Sequence, residues 1–237
     1  SLRNSRTAAK RTKMNNRAAE SPAGIQIGIM GGTFDPIHYG HLLAADEAHA
    51  AFGLSEVIFI PSGHPPHKAN KKLTSPEDRY LMTELATVDC PYFRVSRVEI
   101  DRQGSSYTID TLRALRAMPE YAGAQFYFIT GLDAVLDIVS WKNPEEIMTM
   151  CRFVAVSRYG YSPKKMEELP EELRTKIIPL EIPLLAISST ELRERARNGR
   201  SIRFMVPPAV EKFIRKKSLY RNYTETMRTT TTRTTTA

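Results

Sequence analysis

The chain has 237 residues, 41% hydrophobic and 25% charged, enough apolar material for a buried core and without the bias of a collagen, a coiled coil or a disordered protein. Its strongly apolar runs all fall short of the roughly 18 residues that cross a bilayer, so no membrane association is expected. The net charge of +8 sits in the flanks: residues 1–24 hold six basic and one acidic residue and 221–237 three basic and one acidic, leaving 25 basic against 24 acidic between them, which speaks against nucleic-acid binding.

Residues 1–24 lack the apolar stretch of a secretory signal and read as a disordered basic extension, with a transit peptide as the other reading. A first strand is predicted over Ile25–Met30 and is followed at once by Gly31-Gly32-Thr33-Phe34-Asp35-Pro36-Ile37-His38-Tyr39-Gly40-His41 and an apolar helix over Leu42–Phe52. Adjacent glycines let a ligand approach the backbone, and the helix start offers N–H groups and partial positive charge, which together favour phosphate. His38 and His41, three apart, can present two N–H donors to one phosphate; either alone would read as a surface or capping residue. The pattern is neither a Walker loop nor a GxGxxG fingerprint.

Further strands are predicted over Val57–Ile60, Tyr92–Val95, Gln125–Ile129, Phe153–Val156 and Ile177–Leu180, each continuously apolar, as suits a parallel sheet covered on both faces. The stretch Ser62–Thr74, with His64, His67, Lys68, Lys71 and Lys72 among prolines and a glycine, reads as a functional loop, and Lys68 as a flexible charge suited to phosphate. Ser75 before Pro76, Glu77 and Asp78 caps a helix running to about Ala86. From Thr108 a second helix places Ile109, Leu112, Leu115 and Met118 on one face, with Arg113 and Arg116 on the other. Ser188 with Glu191 forms a capping box opening a helix to about Arg197, ending near Gly199; Ser188, Ser189, Thr190 and Arg193 there form a second anion site. The Thr/Arg-rich residues 221–237 read as a disordered tail. Cys90 and Cys151 belong to no ligand cluster, so a reducing, cytoplasmic setting without a zinc site is expected. This β-α alternation predicts one α/β domain over 25–220, a doubly wound parallel sheet with its site beyond the strand C-termini.

The string from Gly31 to His41 resembles the H-x-G-H nucleotidyltransferases, and Ile187-Ser188-Ser189-Thr190-Glu191-Leu192-Arg193 is similar to the same family's other signature, which binds the ATP triphosphate. Ile60–Lys68, Ser105–Leu112 and Phe128–Asp133 running on to Trp141, with Val206–Pro208 and Leu219-Tyr220, narrow the resemblance to bacterial-type nicotinate-nucleotide adenylyltransferases over about residues 25–220. That resemblance implies a Rossmann-like nucleotidyltransferase fold and adenylyl transfer from ATP to nicotinic acid mononucleotide, with His38, His41 and Arg193 as catalytic residues. It implies ATP contacts at Gly31, Gly32, Thr33, Phe34, His41, Asp133, Ser188, Ser189, Thr190 and Arg193, and acceptor contacts at Lys68, Tyr107, Thr108 and Trp141. Trp141 is then expected to stack on the pyridine ring rather than only fill the core, and the N–H groups at Tyr107-Thr108 to receive the nicotinate carboxylate where a plain Thr N-cap is the alternative. Asp133 is expected to accept ribose hydroxyls, or to be an N-cap. Mg²⁺ is expected to arrive with ATP, there being no dense carboxylate cage in the motifs. Self-association is left open. The competing readings are transfer to nicotinamide mononucleotide or a pantetheine phosphate, a non-catalytic ligand sensor or RNA-binding protein, and a class I tRNA synthetase, whose second motif Ser162–Met166 matches poorly.

Overall fold

The computed structural model describes residues 24–65, 72–158, 171–183 and 185–221. Six strands form one parallel sheet: β1 (Gln26–Gly32), β2 (Glu56–Pro61), β3 (Phe93–Val95), β4 (Gln125–Gly131), β5 (Cys151–Arg158) and β6 (Ile177–Ile182), in the spatial order β3-β2-β1-β4-β5-β6. All six predicted strands are present, mostly longer than the apolar runs that signalled them. Strand order reverses between β1 and β4, and at such a switch point the connections leave toward opposite faces and open a crevice.

Helices cover both faces: α1 (Tyr39–Phe52), α2 (Pro76–Thr87), α3 (Thr108–Arg116), α4 (Leu132–Leu136), α5 (Pro144–Met150), α6 (Glu171–Arg174), α7 (Ser189–Arg197) and α8 (Pro208–Lys216). On one face Ile27, Ile58 and Phe126 pack with Ile109, Leu112 and Leu115 of α3 and Ile147 of α5. On the other, Val57, Phe59 and Val154 pack with Ala44, Ala45 and Ala48 of α1, Met82 of α2, Leu192 of α7 and Val210 and Ile214 of α8. The three alanines let α1 lie close against the sheet, and Gly53, at φ 60, ends it in the left-handed turn that favours glycine.

Three local expectations are corrected. The first helix begins at Tyr39, not Leu42, because His38 caps it. α3 stops at Arg116 ahead of Pro119, so Met118 lies outside it, and Arg116 is not a solvated face residue: its guanidinium donates to the carbonyls of Ala124 and Met150 and sits 4.3 Å over the Phe126 ring. Only half of the capping box at α7 forms. Ser188 Oγ accepts from the Glu191 N–H at 3.2 Å, but the Glu191 carboxylate pairs with Arg195 at 2.8 Å. No helix of the described residues is long and apolar enough to cross a membrane.

Candidate active site

β1 ends in Gly31-Gly32, and the chain then folds back over Phe34. A Cβ on Gly32 would lie 2.7 Å from Phe34 Cε1, so only glycine lets the loop close on that ring. Phe34 is buried with φ 49, its ring meeting His41 edge-on at 5.1 Å, which leaves backbone rather than side chain for a ligand. His38 Nδ1 accepts from the Gly40 N–H (3.1 Å) and His41 Nδ1 from the His38 N–H (3.2 Å). With both Nδ1 atoms accepting, each neutral ring carries its proton on Nε2. The rings stack at 3.8 Å. Burial pulls the His38 pKa down from 6.5 to about 4, so this ring is a neutral donor at pH 7.

The second motif is tied to the first across more than 150 residues of sequence. Ser189 Oγ donates to Pro36 O at 2.9 Å, and Arg193 donates through Nη1 to Asp35 O at 2.7 Å and through Nη2 to Thr190 Oγ1 at 3.2 Å. Ser189 and one guanidinium nitrogen of Arg193 thus hold the two motifs together. These bonds fasten the N-terminal part of α7 to Asp35 and Pro36, the residues that lead into His38.

A cleft of about 580 Å³ opens over the C-terminal ends of β1 and β4. Its walls bring Tyr107, Thr108 and Trp141, expected at the acceptor, together with Gly31, Gly32 and Thr33, expected at ATP. Trp141 packs edge-on against Phe128 (5.9 Å) and Phe153 (6.4 Å) while lining the cleft, so it both fills the core and offers a surface. Tyr107, not Thr108, is the N-cap of α3, and no side chain caps that end. Lys142 at the rim donates to Asp110 Oδ2 at 3.0 Å and lies 4.6 Å over the Tyr107 ring. His38, His41, Ser188, Ser189, Thr190 and Arg193 do not line this cleft; they form a second cluster, and the glycine loop joins the two. Asp133 is exposed in the first turn of α4 rather than at its N-cap, which is Gly131. Lys68 lies outside the described residues. Among the described residues no group of three or more His, Cys, Asp or Glu is placed to hold a metal ion.

Five supporting residues were given no role in the sequence reading. Arg79, 1% exposed, donates to Thr33 O (2.8 Å), Gly63 O (3.0 Å) and Thr74 O (3.0 Å), pinning the glycine loop to the loop after β2. Gly63 itself is pressed so closely on Glu99 that a Cβ would sit 2.1 Å from its carbonyl oxygen. Glu99 is buried in the cleft wall, receives a hydrogen bond from Thr111 at 2.6 Å, and has its pKa raised, chiefly by burial. Ser62 Oγ, also in the wall, is buried with no hydrogen-bond partner among the described residues. Asp35, inside the recognised motif, is 2% exposed and held by Thr74 and Tyr220. A buried arginine in an amphipathic helix carries no local signal, because arginines at such spacing normally face water.

Residues 29–195 match the family model described as cytidylyltransferase-like. A protein of Moorella thermoacetica named a probable nicotinate-nucleotide adenylyltransferase is 51% identical over 201 residues, covering 83% of this chain and 92% of its own. One of the same name from a Thermoanaerobacter species is 47% identical over 201 residues, covering 83% and 95%. Among solved structures, the Plasmodium falciparum nicotinic acid mononucleotide adenylyltransferase complexed with NaAD shares the fold, with a TM-score of 0.67 at 23% identity over 82% of this chain and 97% of that one.

Proposed function

Because the chain belongs to the nicotinate-nucleotide adenylyltransferase family, we propose that it transfers the adenylyl group of ATP to nicotinic acid mononucleotide, giving deamido-NAD and pyrophosphate. A phosphate oxygen of the mononucleotide attacks the α-phosphorus in line. The bond from that phosphorus to the oxygen bridging to the β-phosphate breaks, and its electron pair leaves with pyrophosphate. No covalent enzyme intermediate is required, so the protein's task is to position reactants and offset charge.

The observation that carries this reading is the shared loop: Gly31 to Thr33 wall a cleft large enough for the acceptor, and the same loop, fastened at Asp35 to Arg193 and at Pro36 to Ser189, runs directly into the histidine pair. In the proposed complex the Nε2–H groups of His38 and His41 donate to the α-phosphate oxygens as charge develops there. Arg193 and the N-terminus of α7, with Ser188 and Thr190, take the β- and γ-phosphates. Lys68 is assigned to phosphate and Asp133 to the ATP ribose. The pyridine ring lies against Trp141, with its carboxylate at the N-terminus of α3. Mg²⁺ is assigned to the ATP phosphates themselves, where it offsets their charge.

The test is pyrophosphate release with ATP and, in turn, nicotinic acid mononucleotide, nicotinamide mononucleotide and a pantetheine phosphate, with the product identified by mass. Deamido-NAD from the first acceptor is expected. Turnover confined to either of the others would overturn the assignment of acceptor.

A further inference from the structure

Asp35 stands three residues before His38, and its fixed position comes from distant parts of the chain. Its backbone carbonyl accepts from Arg193 (2.7 Å), its Oδ2 from the Thr74 N–H (3.1 Å) and its Oδ1 from the Tyr220 hydroxyl (2.6 Å). Tyr220 follows α8 in an unfavourable backbone course: Ser218 at φ 51 and Tyr220 at φ 69 both occupy the left-handed region that a side chain disfavours. Two such residues in three bring the phenol over Asp35, and Lys217, beside them, pairs with Asp78 of α2 at 3.3 Å. Arg79 holds the carbonyls of Thr33, two residues before Asp35, and of Thr74, which itself donates to Asp35. The phenol serves neither the sheet ladder nor the cap of α1, which His38 supplies. What it does grip is the segment that carries the histidine pair.

We propose that Tyr220 is a positioning residue for adenylyl transfer, holding through Asp35 the loop that aims His38 and His41 at the α-phosphate. This rests on the function proposed above. In-line transfer is sensitive to small misplacements of the donor groups, whereas ground-state binding of either substrate rests on other contacts. Loss of the phenol is therefore read in kcat rather than in KM.

The full chain carrying Tyr220→Phe keeps the ring and loses only the hydroxyl. Its kcat is expected to fall about tenfold, with KM for ATP and for nicotinic acid mononucleotide each within about twofold of wild type. Tyr121→Phe is the control: it removes a comparable phenol–carboxylate hydrogen bond, to Glu56 Oε1 at 2.7 Å, at the opposite end of the sheet, and is expected to leave kcat unchanged. Turnover is referred to the folded fraction measured by near-UV circular dichroism in the same sample. Normal turnover per folded molecule, or a raised KM at unchanged kcat, overturns the inference. An inactive wild type overturns the functional reading and this inference with it; an active wild type equalled by Tyr220→Phe overturns this inference alone.

Discussion

His38 and His41 each use Nδ1 to close the start of α1, which leaves the ring proton on Nε2. Capping and phosphate binding are thus compatible roles for one residue rather than rivals. On the proposed role of His41 as a donor to the α-phosphate, His41→Ala is expected to lower kcat by roughly 10²–10³ while circular dichroism stays native. A folded variant with near-normal kcat would return His41 to capping alone. His38 adds a pH signature. Unfolded, its ring takes a proton near pH 6.5, but in the fold only near 4, because burial disfavours the cation. Between those values the unfolded chain binds more protons, so stability falls as pH is lowered through that window and is fully present above it. His38→Asn keeps a side-chain acceptor for the Gly40 N–H and does not titrate, so its Tm is expected to fall less steeply than that of wild type from pH 6.5 to 4. Parallel curves for the two proteins would show that His38 is not the buried group responsible.

Among the elements, α3 is the one to which the proposed function gives the choice of acceptor. It starts at Thr108 at the wall of the cleft, where no side chain caps it, although the Asp110 N–H already donates to Tyr107 O at 3.1 Å, so the N–H groups of Thr108 and Ile109 are the ones without a side-chain acceptor. A carboxylate suits those donors and the partial positive charge of the helix start, whereas the NH₂ of an amide would set donor against donor at about 1–3 kcal/mol per clash. A kcat/KM for nicotinic acid mononucleotide at least tenfold above that for the nicotinamide form is expected. Trp141→Ala, at the same wall, should raise KM for the acceptor more than KM for ATP. Equal kcat/KM values for the two acceptors would remove the carboxylate argument even with adenylyl transfer established. α7 plays the complementary part, since its Ser189 and Arg193 reach back to Pro36 and Asp35 and bring the late motif to the early one.

In the molecule as a whole, the site lies where strand order reverses between β1 and β4, and its loops are tied by buried polar contacts instead of extra secondary structure. Tyr220 is the last residue seen to touch that network. A chain of residues 24–220 is therefore expected to fold with an unchanged Tm and to keep kcat within a few-fold of the full chain, measured side by side. A larger loss would show that a flank enters the site or an essential interface.

Six apolar runs, two helix starts with hydroxyl caps and the two motifs were legible in the sequence, because side-chain period, capping chemistry and glycine spacing are local properties that neighbouring residues express together. They sufficed for the doubly wound sheet, whereas the meeting of Gly31, Gly32 and Thr33 with Tyr107, Thr108 and Trp141 around one cleft came from the tertiary structure. The short helices α4 and α6, of five and four residues, left no periodic trace, and the end of α3 was misjudged because Met118 continued its apolar spacing past the point where Pro119 stops it. Only the tertiary structure decided that Arg79 is a buried tie between loops, that Glu99 and Ser62 face the cleft, and that Tyr220 reaches Asp35 across 185 positions. The reason is physical: a buried charge or phenol is stable only where distant backbone supplies its partners, and no local pattern in the chain announces which partners will arrive.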